Sequence, residues 1–390
     1  MDSKEIRIGA LYPLTGSYEY IGQSIKQVID FYVHLVNTQC DYNYPPELGL
    51  PCLHGKKIKL IWADTMGDSV VGTNEALRLV KEEGVVAIIG SFQSSVTAAV
   101  SLQMEVLNVP YLSPNTDASS LTQRGLKWFF RTGPTSFVYT KAYFDLLTTL
   151  GFSHSSVGSL AENSYLGLDE VQAVVNLSQI YGHDIKLLEL YNPDLPIPID
   201  KLLRIKYCNP DFLFTEASVD AIIQTIRTFQ DINYYPMAIF HQTSTYTYPQ
   251  ILNTLGMAAD YAFSTVIWSL GLTKEIPLAR IVNHMYKDEY GIDMNTVNGG
   301  SYVGIYTLVD AICRSESLTP YAIRKALTEI NICGKNLIVP WKGVRFDCNG
   351  QNIYAKGMID QIQHGTPQIV WPLPYAEAEA VIPAPQWTGR

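Results

Sequence analysis

Val85-Val86-Ala87-Ile88-Ile89 is an unbroken run of small and β-branched apolar side chains, closed by Gly90. A strand that is apolar on both faces belongs in a sheet covered on both sides, which predicts a parallel sheet. Ser91, Ser94, Ser95 and Thr97 follow at once, and Ala98 to Val106 continues with helical spacing. A buried strand therefore runs into a hydroxyl-rich turn that opens a helix. Such a turn offers unpaired backbone N–H groups, hydroxyls and the positive end of a helix dipole, which suits an anion such as a carboxylate. The residues alone leave two readings open. Ser94 or Ser95 is an N-cap, or this pair contacts a ligand.

The same alternation extends on both sides of that stretch. Ile6 to Tyr12 reads as a strand, Gly22 to Val36 as an amphipathic helix, Lys57 to Trp62 as a strand, Val70 to Glu83 as a helix and Val109 to Leu112 as a short strand. Lys127 to Arg131 is a strand that leads towards a second lobe. The order then repeats, with helices at Phe137 to Leu150, Gly167 to Tyr181, within Pro196 to Tyr207, and at Val219 to Phe229. Strands fall at Ser155 to Leu160, Ile185 to Tyr191, Asp211 to Thr215 and Met237 to Phe240. Strand–helix alternation of this kind predicts an α/β fold of doubly wound parallel sheets, one per unit, with right-handed crossovers. After Ala262 the chain turns helical, at Pro277 to Tyr290, Gly300 to Arg314 and Pro320 to Ile330. From Lys335 the period becomes two, with strands expected at Asn336 to Val339, Gly343 to Phe346, Tyr354 to Gln363 and Gln368 to Trp371. Asn349-Gly350 is a turn signal between two of them.

Composition narrows the function. The 390 residues are 47% hydrophobic and 17% charged, an ordinary globular balance with room for two domains. The net charge of −9 argues against nucleic acid as a partner. No apolar run reaches the ~18 residues of a membrane-spanning helix. Met1 leads almost directly into a strand, so the expectation is either a cytosolic protein or one whose export signal has been cut away. Of the six cysteines, Cys40 and Cys52 flank a Tyr- and Pro-rich insertion and are candidates to close it. Cys333 and Cys348 form a second candidate pair, and Cys208 and Cys313 read as buried thiols. No Cys/His cluster has zinc spacing, and no cofactor is expected. Nucleophile-elbow, metalloprotease, Walker and dinucleotide-binding motifs are all missing, and Asp64 and Asp68 read as turn or capping residues rather than an acid/base pair, so no catalytic residue is assigned.

Six ordered matches carry a resemblance. They are Ile8-Gly9-Ala10-Leu11-Tyr12-Pro13-Leu14-Thr15-Gly16 with Gly22; Asp64 with Asp68; Ile89-Gly90 with Ser94-Ser95; Pro110 to Asp117 with Leu121-Thr122; Phe130-Arg131-Thr132-Gly133-Pro134; and Gly343-Val344-Arg345-Phe346-Asp347 with Asn349-Gly350. At these intervals the sequence resembles the type I periplasmic solute-binding proteins, in the branch of the leucine/isoleucine/valine-binding proteins and the amide sensors. The resemblance covers nearly the whole chain. It implies two α/β lobes joined by three crossover strands, with a ligand cleft between them and hinge closure over the ligand. The crossings are expected near Thr132, Phe263 and Pro340. That gives lobe one as residues 6–131 with 264–339, and lobe two as 132–263 with 340–390.

The resemblance also implies a site. Ser95, with Ser94, Phe92 and Gln93 nearby, matches the turn that grips the ligand carboxylate. Asn115, Thr116 and Asp117 match the next polar loop. There Asp117 departs from the small or hydroxyl residue common in the family, and either holds an ammonium or caps a turn. Tyr20, and Tyr18 beside it, lie where the family wraps the ligand. From lobe two come Tyr165, Glu216, Ser218 and His241. Amino-acid binders often carry a carboxylate in the loop after the strand that ends at His241, and His241 to Tyr248 contains none. The function implied is capture of an amino acid, related carboxylate or amide outside the cytoplasm for the permease of an ABC importer. The alternative is a cytosolic amide or small-molecule sensor of the same fold that controls a regulator.

Overall fold

A computed structural model describes residues 5–38, 52 and 55–387. The first run of the chain is β1 (Glu5–Tyr12), α1 (Glu19–Thr38), β2 (Lys57–Asp64), α2 (Ser69–Lys81), β3 (Ala87–Gly90), α3 (Ser94–Leu107), β4 (Tyr111–Ser113) and β5 (Phe129–Arg131). The second is α4 (Ser136–Thr149), β6 (Ser156–Glu162), α5 (Tyr165–Tyr181), β7 (Asp184–Tyr191), α6 (Ile199–Cys208), β8 (Phe212–Glu216), α7 (Val219–Asp231), β9 (Ala238–His241), α8 (Pro249–Leu255) and β10 (Phe263–Val266). The third is α9 (Leu272–Glu275), α10 (Pro277–Tyr290), α11 (Thr296–Arg314), α12 (Pro320–Glu329), β11 (Ile332–Cys333) and β12 (Gly343–Val344), before β13 (Met358–Gln363) and β14 (Thr366–Trp371). Two compact units result, divided after Pro134, Gly271 and Lys356.

In the first unit five parallel strands pair in the order β2-β1-β3-β4-β5. All four residues of β3 are buried, as its apolar run requires. Helix α1 buries Ile21, Ile25, Val28, Ile29, Tyr32 and Val36, the three-and-four spacing of an amphipathic face. It starts hard against the β1 turn. A Cβ on Gly22 would lie 1.8 Å from the Pro13 carbonyl oxygen, so only glycine fits there. Asp68 caps α2, accepting from the N–H groups of Val70 and Val71 at 2.7 and 2.9 Å. Asp64 accepts from the Leu14 and Met66 N–H groups, each at 2.8 Å, and from the Thr15 hydroxyl at 2.6 Å. Burial pushes its pKa up, but these bonds together outweigh it and hold the carboxyl below the usual range. Both aspartates are turn and cap residues, as the sequence suggests.

The second unit has a sheet ordered β14-β13-β10-β9-β8-β6-β7. The five strands from β10 to β7 are parallel and follow the same winding order as the first unit, counted from β6; β13 and β14 add an antiparallel hairpin at one edge. An aromatic stack fills one side of this sheet, with Phe144 on Phe214 at 5.2 Å and Tyr143 on Phe240 at 4.6 Å between ring centroids. Each pair contributes about 1 kcal/mol beyond its buried area.

Three expectations change. The segment from Ser264, assigned by sequence to lobe one, belongs to the second unit because β10 pairs with both β9 and β13. Residues 340–356 stay with the first unit because the Arg131 N–H donates to the Gly350 carbonyl at 2.8 Å and the Asn352 N–H to the Arg131 carbonyl at 3.0 Å. Asn336 to Val339 is not a strand. Leu337, Ile338 and Val339 are buried by packing, with Pro340 next in line and unable to donate to a ladder.

The cysteines pair differently as well. Cys52 is bonded to Cys313 of α11, 261 positions away, with a Cα–Cα distance of 5.6 Å. Cys313 is therefore not a buried thiol, and Cys52 does not close a short loop with Cys40, which lies outside the described residues. Cys333 and Cys348 are free and exposed, and Cys208 is free and half-buried.

Candidate functional site

Within the first unit, winding reverses between β1 and β3, where a doubly wound sheet leaves a crevice at its strand ends. The turn after β3 lies there. Gln93, not Ser94 or Ser95, occupies the N-cap position of α3, and its side chain makes no cap bond. The two serines are the first residues inside the helix. The first N–H to find a helical carbonyl is that of Thr97, on Gln93 O at 3.0 Å, so the N–H groups of Ser94, Ser95 and Val96 have no carbonyl within α3. Ser94 is buried and Ser95 exposed. The base of the turn is tied down: the Ser91 N–H donates to the Tyr111 hydroxyl at 2.7 Å, and Ser91 Oγ lies 2.8 Å from Thr97 Oγ1. Phe92 is half-buried against Tyr18, 5.9 Å between ring centroids. Both amide atoms of Gln93 are enclosed and, among the described residues, have no partner. Tyr20, near the start of α1, is 56% exposed.

The loop after β4 abuts this turn, since the Ala118 N–H donates to Ser94 Oγ at 3.4 Å. Arg131, fully buried, fixes the loop: its Nη1 donates to the carbonyls of Thr116 and Ala118 at 3.3 and 2.6 Å, and its Nη2 to Thr122 Oγ1 at 2.8 Å. Asn115 donates to Ser301 Oγ at 2.5 Å, but its Oδ1 is buried without a partner. The Thr116 hydroxyl pairs with Ser113 Oγ at 2.6 Å. Asp117 sits between the two carbonyls that Arg131 holds. Burial pushes its carboxyl up to about 7, against the pull of the Arg131 charge. The short helical turn from Ser119 to Thr122 starts from Ala118, with no side-chain cap, so Asp117 is not its N-cap.

In the second unit the predicted residues again stand at C-terminal strand ends. Glu216 ends β8, and its neighbour in register is Ala161 of β6. One residue further, at the end of β6, is Glu162, which the sequence reading missed because it ended that strand at Leu160. Its Oε1 accepts from the Ser218 N–H at 2.9 Å and from the Tyr191 hydroxyl at 3.3 Å. Burial raises its pKa, and those two bonds partly offset the rise. A charged residue directly after an apolar strand run was the available signal, the same one that picked out Glu216.

Ser218 is the N-cap of α7, accepting from the Ala221 N–H at 3.4 Å. His241 is fully buried, and burial lowers its pKa to about 3, so the ring is neutral. Its Nδ1 lies 3.0 Å from Thr215 Oγ1 and its Nε2 2.9 Å from Thr243 Oγ1. Both nitrogens are thus engaged inside the unit, which makes the ring a support for Thr215 and Thr243. Glu216 Oε2 accepts from Thr243 Oγ1 at 3.5 Å; at 3.9 Å from a neutral imidazole it forms no ion pair. Tyr165 opens α5 behind its N-cap Ser164 and is 36% exposed.

Among the described residues no group of three or more His, Cys, Asp or Glu side chains is placed to hold a metal ion, and no helix is long and apolar enough to cross a membrane. The arrangement supplies backbone donors, hydroxyls, amides and carboxylates at the ends of parallel strands in each unit.

A family profile described as periplasmic binding protein matches residues 5–361, and the chain belongs to that family. A Leu/Ile/Val-binding protein homolog from Brucella melitensis is 25% identical over 407 aligned positions, covering 98% of this chain and 95% of the relative. Two solved structures share the fold. One is a branched-chain amino acid transporter substrate-binding protein from Streptococcus pneumoniae in complex with isoleucine, at a TM-score of 0.79 and 16% identity, covering 97% of this chain and all of that one. The other is a solute-binding protein of an ABC transporter from Rhodopseudomonas palustris in complex with 3,4-dihydroxybenzoic acid, at a TM-score of 0.78 and 17% identity, with both chains fully covered.

Proposed function

We propose that this chain captures a small carboxylate-bearing solute outside the cytoplasm, an amino acid or a related acid, and delivers it to the permease of an ABC importer. Its two lobes close over the ligand by a hinge motion. One observation carries the reading. The first turn of α3 presents three N–H groups without helical partners and the Ser95 hydroxyl, at the point where the sheet reverses its winding. That is the chemistry of a carboxylate receptor. Isoleucine and 3,4-dihydroxybenzoic acid, the ligands of the two structural relatives, share little beyond a carboxylate, which supports the same choice. The Cys52–Cys313 bond favours an oxidising compartment over the cytosolic sensor. Gln93 lines the turn from its cap position, and Tyr20, Tyr165 and Glu216 complete the proposed ligand shell.

Isothermal titration with the common amino acids and with aromatic acids tests this. The best binder is then compared with its primary amide. The acid binds and the amide binds at least about tenfold more weakly, because a charge-assisted hydrogen bond is lost. Ser95→Ala weakens the acid by roughly tenfold and leaves the fold intact. An amide that binds as well as the acid contradicts the proposal.

A further inference from the structure

The loop after β4 presents acceptors that nothing in the chain satisfies. Asn115 Oδ1 is buried without a partner. Two residues on, no donor among the described residues bonds the Asp117 carboxylate, and the one charge acting on it is that of Arg131 on β5. The Arg131 guanidinium is already committed to Gln351, Thr116, Ala118 and Thr122. The first turn of α3, which touches the loop through Ser94, contributes no acidic side chain. Two acceptors on one rigid loop, beside a helix N-terminus that takes an anion, match a ligand bearing a hydrogen-bonding cation next to its carboxylate. The other carboxylates are placed differently: Glu162 is bonded by Ser218 and Tyr191, and Glu216 by Thr243.

We infer that Asp117, as a carboxylate, binds the ammonium group of the captured solute, with Asn115 Oδ1 as a second acceptor, and so selects α-amino acids over the corresponding 2-oxo acids. This rests on the capture reading above and narrows its ligand class. It has a consequence for protons. With the empty carboxyl near 7, about half the molecules carry a proton on Asp117 at neutral pH, and an incoming ammonium expels it. The proton leaves to solvent and the ligand amine stays protonated, so charge balances. Affinity is reduced by the fraction of Asp117 not ionised, and between pH 8 and pH 6 that amounts to about tenfold.

The test is titration of the whole chain, refolded to remove carried ligand, with each common α-amino acid. The tightest is then compared with its own 2-oxo acid at pH 6 and pH 8, in the wild type, Asp117→Asn and Asp117→Ser. The wild type is expected to bind the amino acid about tenfold more weakly at pH 6 than at pH 8. Both variants lose at least about tenfold for the amino acid at pH 8 and lose the pH dependence, while 2-oxo acid binding changes little. Two neutral replacements separate loss of charge from loss of shape, and unaltered thermal midpoints show that both variants fold. A 2-oxo acid that binds as tightly as the amino acid overturns the inference, as does unchanged amino-acid affinity in the variants. In either case the capture reading stands. If no carboxylate of any kind binds, both fall.

Discussion

Arg131 Nε donates to Gln351 Oε1 at 2.6 Å, a bond between residues 220 positions apart. Gln351 in turn donates through Nε2 to the Gly133 carbonyl at 2.9 Å. A buried guanidinium is tolerated only when its donors are met, and here a glutamine, two carbonyls and a threonine meet them without a carboxylate. The result is a fixed loop from Thr116 to Thr122, on which the proposed ammonium contact depends. Gln351→Leu strands one donor of a buried cation and is expected to cost roughly 2 kcal/mol. Arg131→Lys, which cannot reproduce the fork, costs more and weakens ligand binding as well. Urea unfolding and titration of the two variants check this.

The Cys52–Cys313 bond ties α11 to a segment that lies far away in sequence. Its removal is expected to destabilise the first unit by roughly 3 kcal/mol. Cys313→Ser lowers the calorimetric midpoint, and a reducing agent lowers that of the wild type to the same value while leaving the variant unmoved. Digestion without reductant releases a peptide pair containing Cys52 and Cys313.

The neutral, buried His241 links stability to pH. Its folded pKa of about 3 lies below the ordinary 6.5, so between those values the unfolded chain binds more protons than the folded one. Stability from this group is complete above pH 6.5 and is lost as pH falls towards 3. Replacing His241 by Gln removes the linkage. The stability gap between wild type and variant, from urea unfolding, is expected to shrink by roughly 2–3 kcal/mol between pH 7.5 and pH 4.5.

Asp360 has the opposite sign. It is buried on β13 with Oδ1 unpartnered, and burial raises its pKa to about 7; a bond from Ser269 works against the rise and the Glu377 charge adds to it. The folded chain here binds more protons than the unfolded one between about 4 and 7, so stability is lost as pH rises through that window. Asp360→Asn is therefore expected to raise the thermal midpoint at pH 8 by several degrees and to leave it nearly unchanged at pH 4. A variant that melts lower at pH 8 contradicts this.

The parallel sheets and the α3 turn were legible because their signals are local. The Val85 to Ile89 run can only be a doubly covered strand, and serines at its end open the next helix. The N-cap was not legible: Gln93 holds that position by backbone geometry alone, without the side-chain bond that makes serine the expected cap. The partner of Cys52 was hidden for a different reason. It is set by how α11 packs in the first unit, and nothing near Cys52 in sequence encodes that. The engagement of both His241 nitrogens likewise depends on Thr215 and Thr243 meeting across two strand ends. Glu162 was within reach and was passed over only because β6 runs two residues further than its apolar pattern.

The central claim is that this chain holds a small carboxylate. Thermal unfolding of the refolded wild type against a panel of amino acids, aromatic acids, primary amides, polyols and sugars tests it most directly. A ligand at 100 times its dissociation constant stabilises the native state by about 2.7 kcal/mol, a readable shift. The account predicts that the compounds raising the midpoint carry a carboxylate and lose their effect in Ser95→Ala. A shift produced only by neutral amides, polyols or sugars would contradict it.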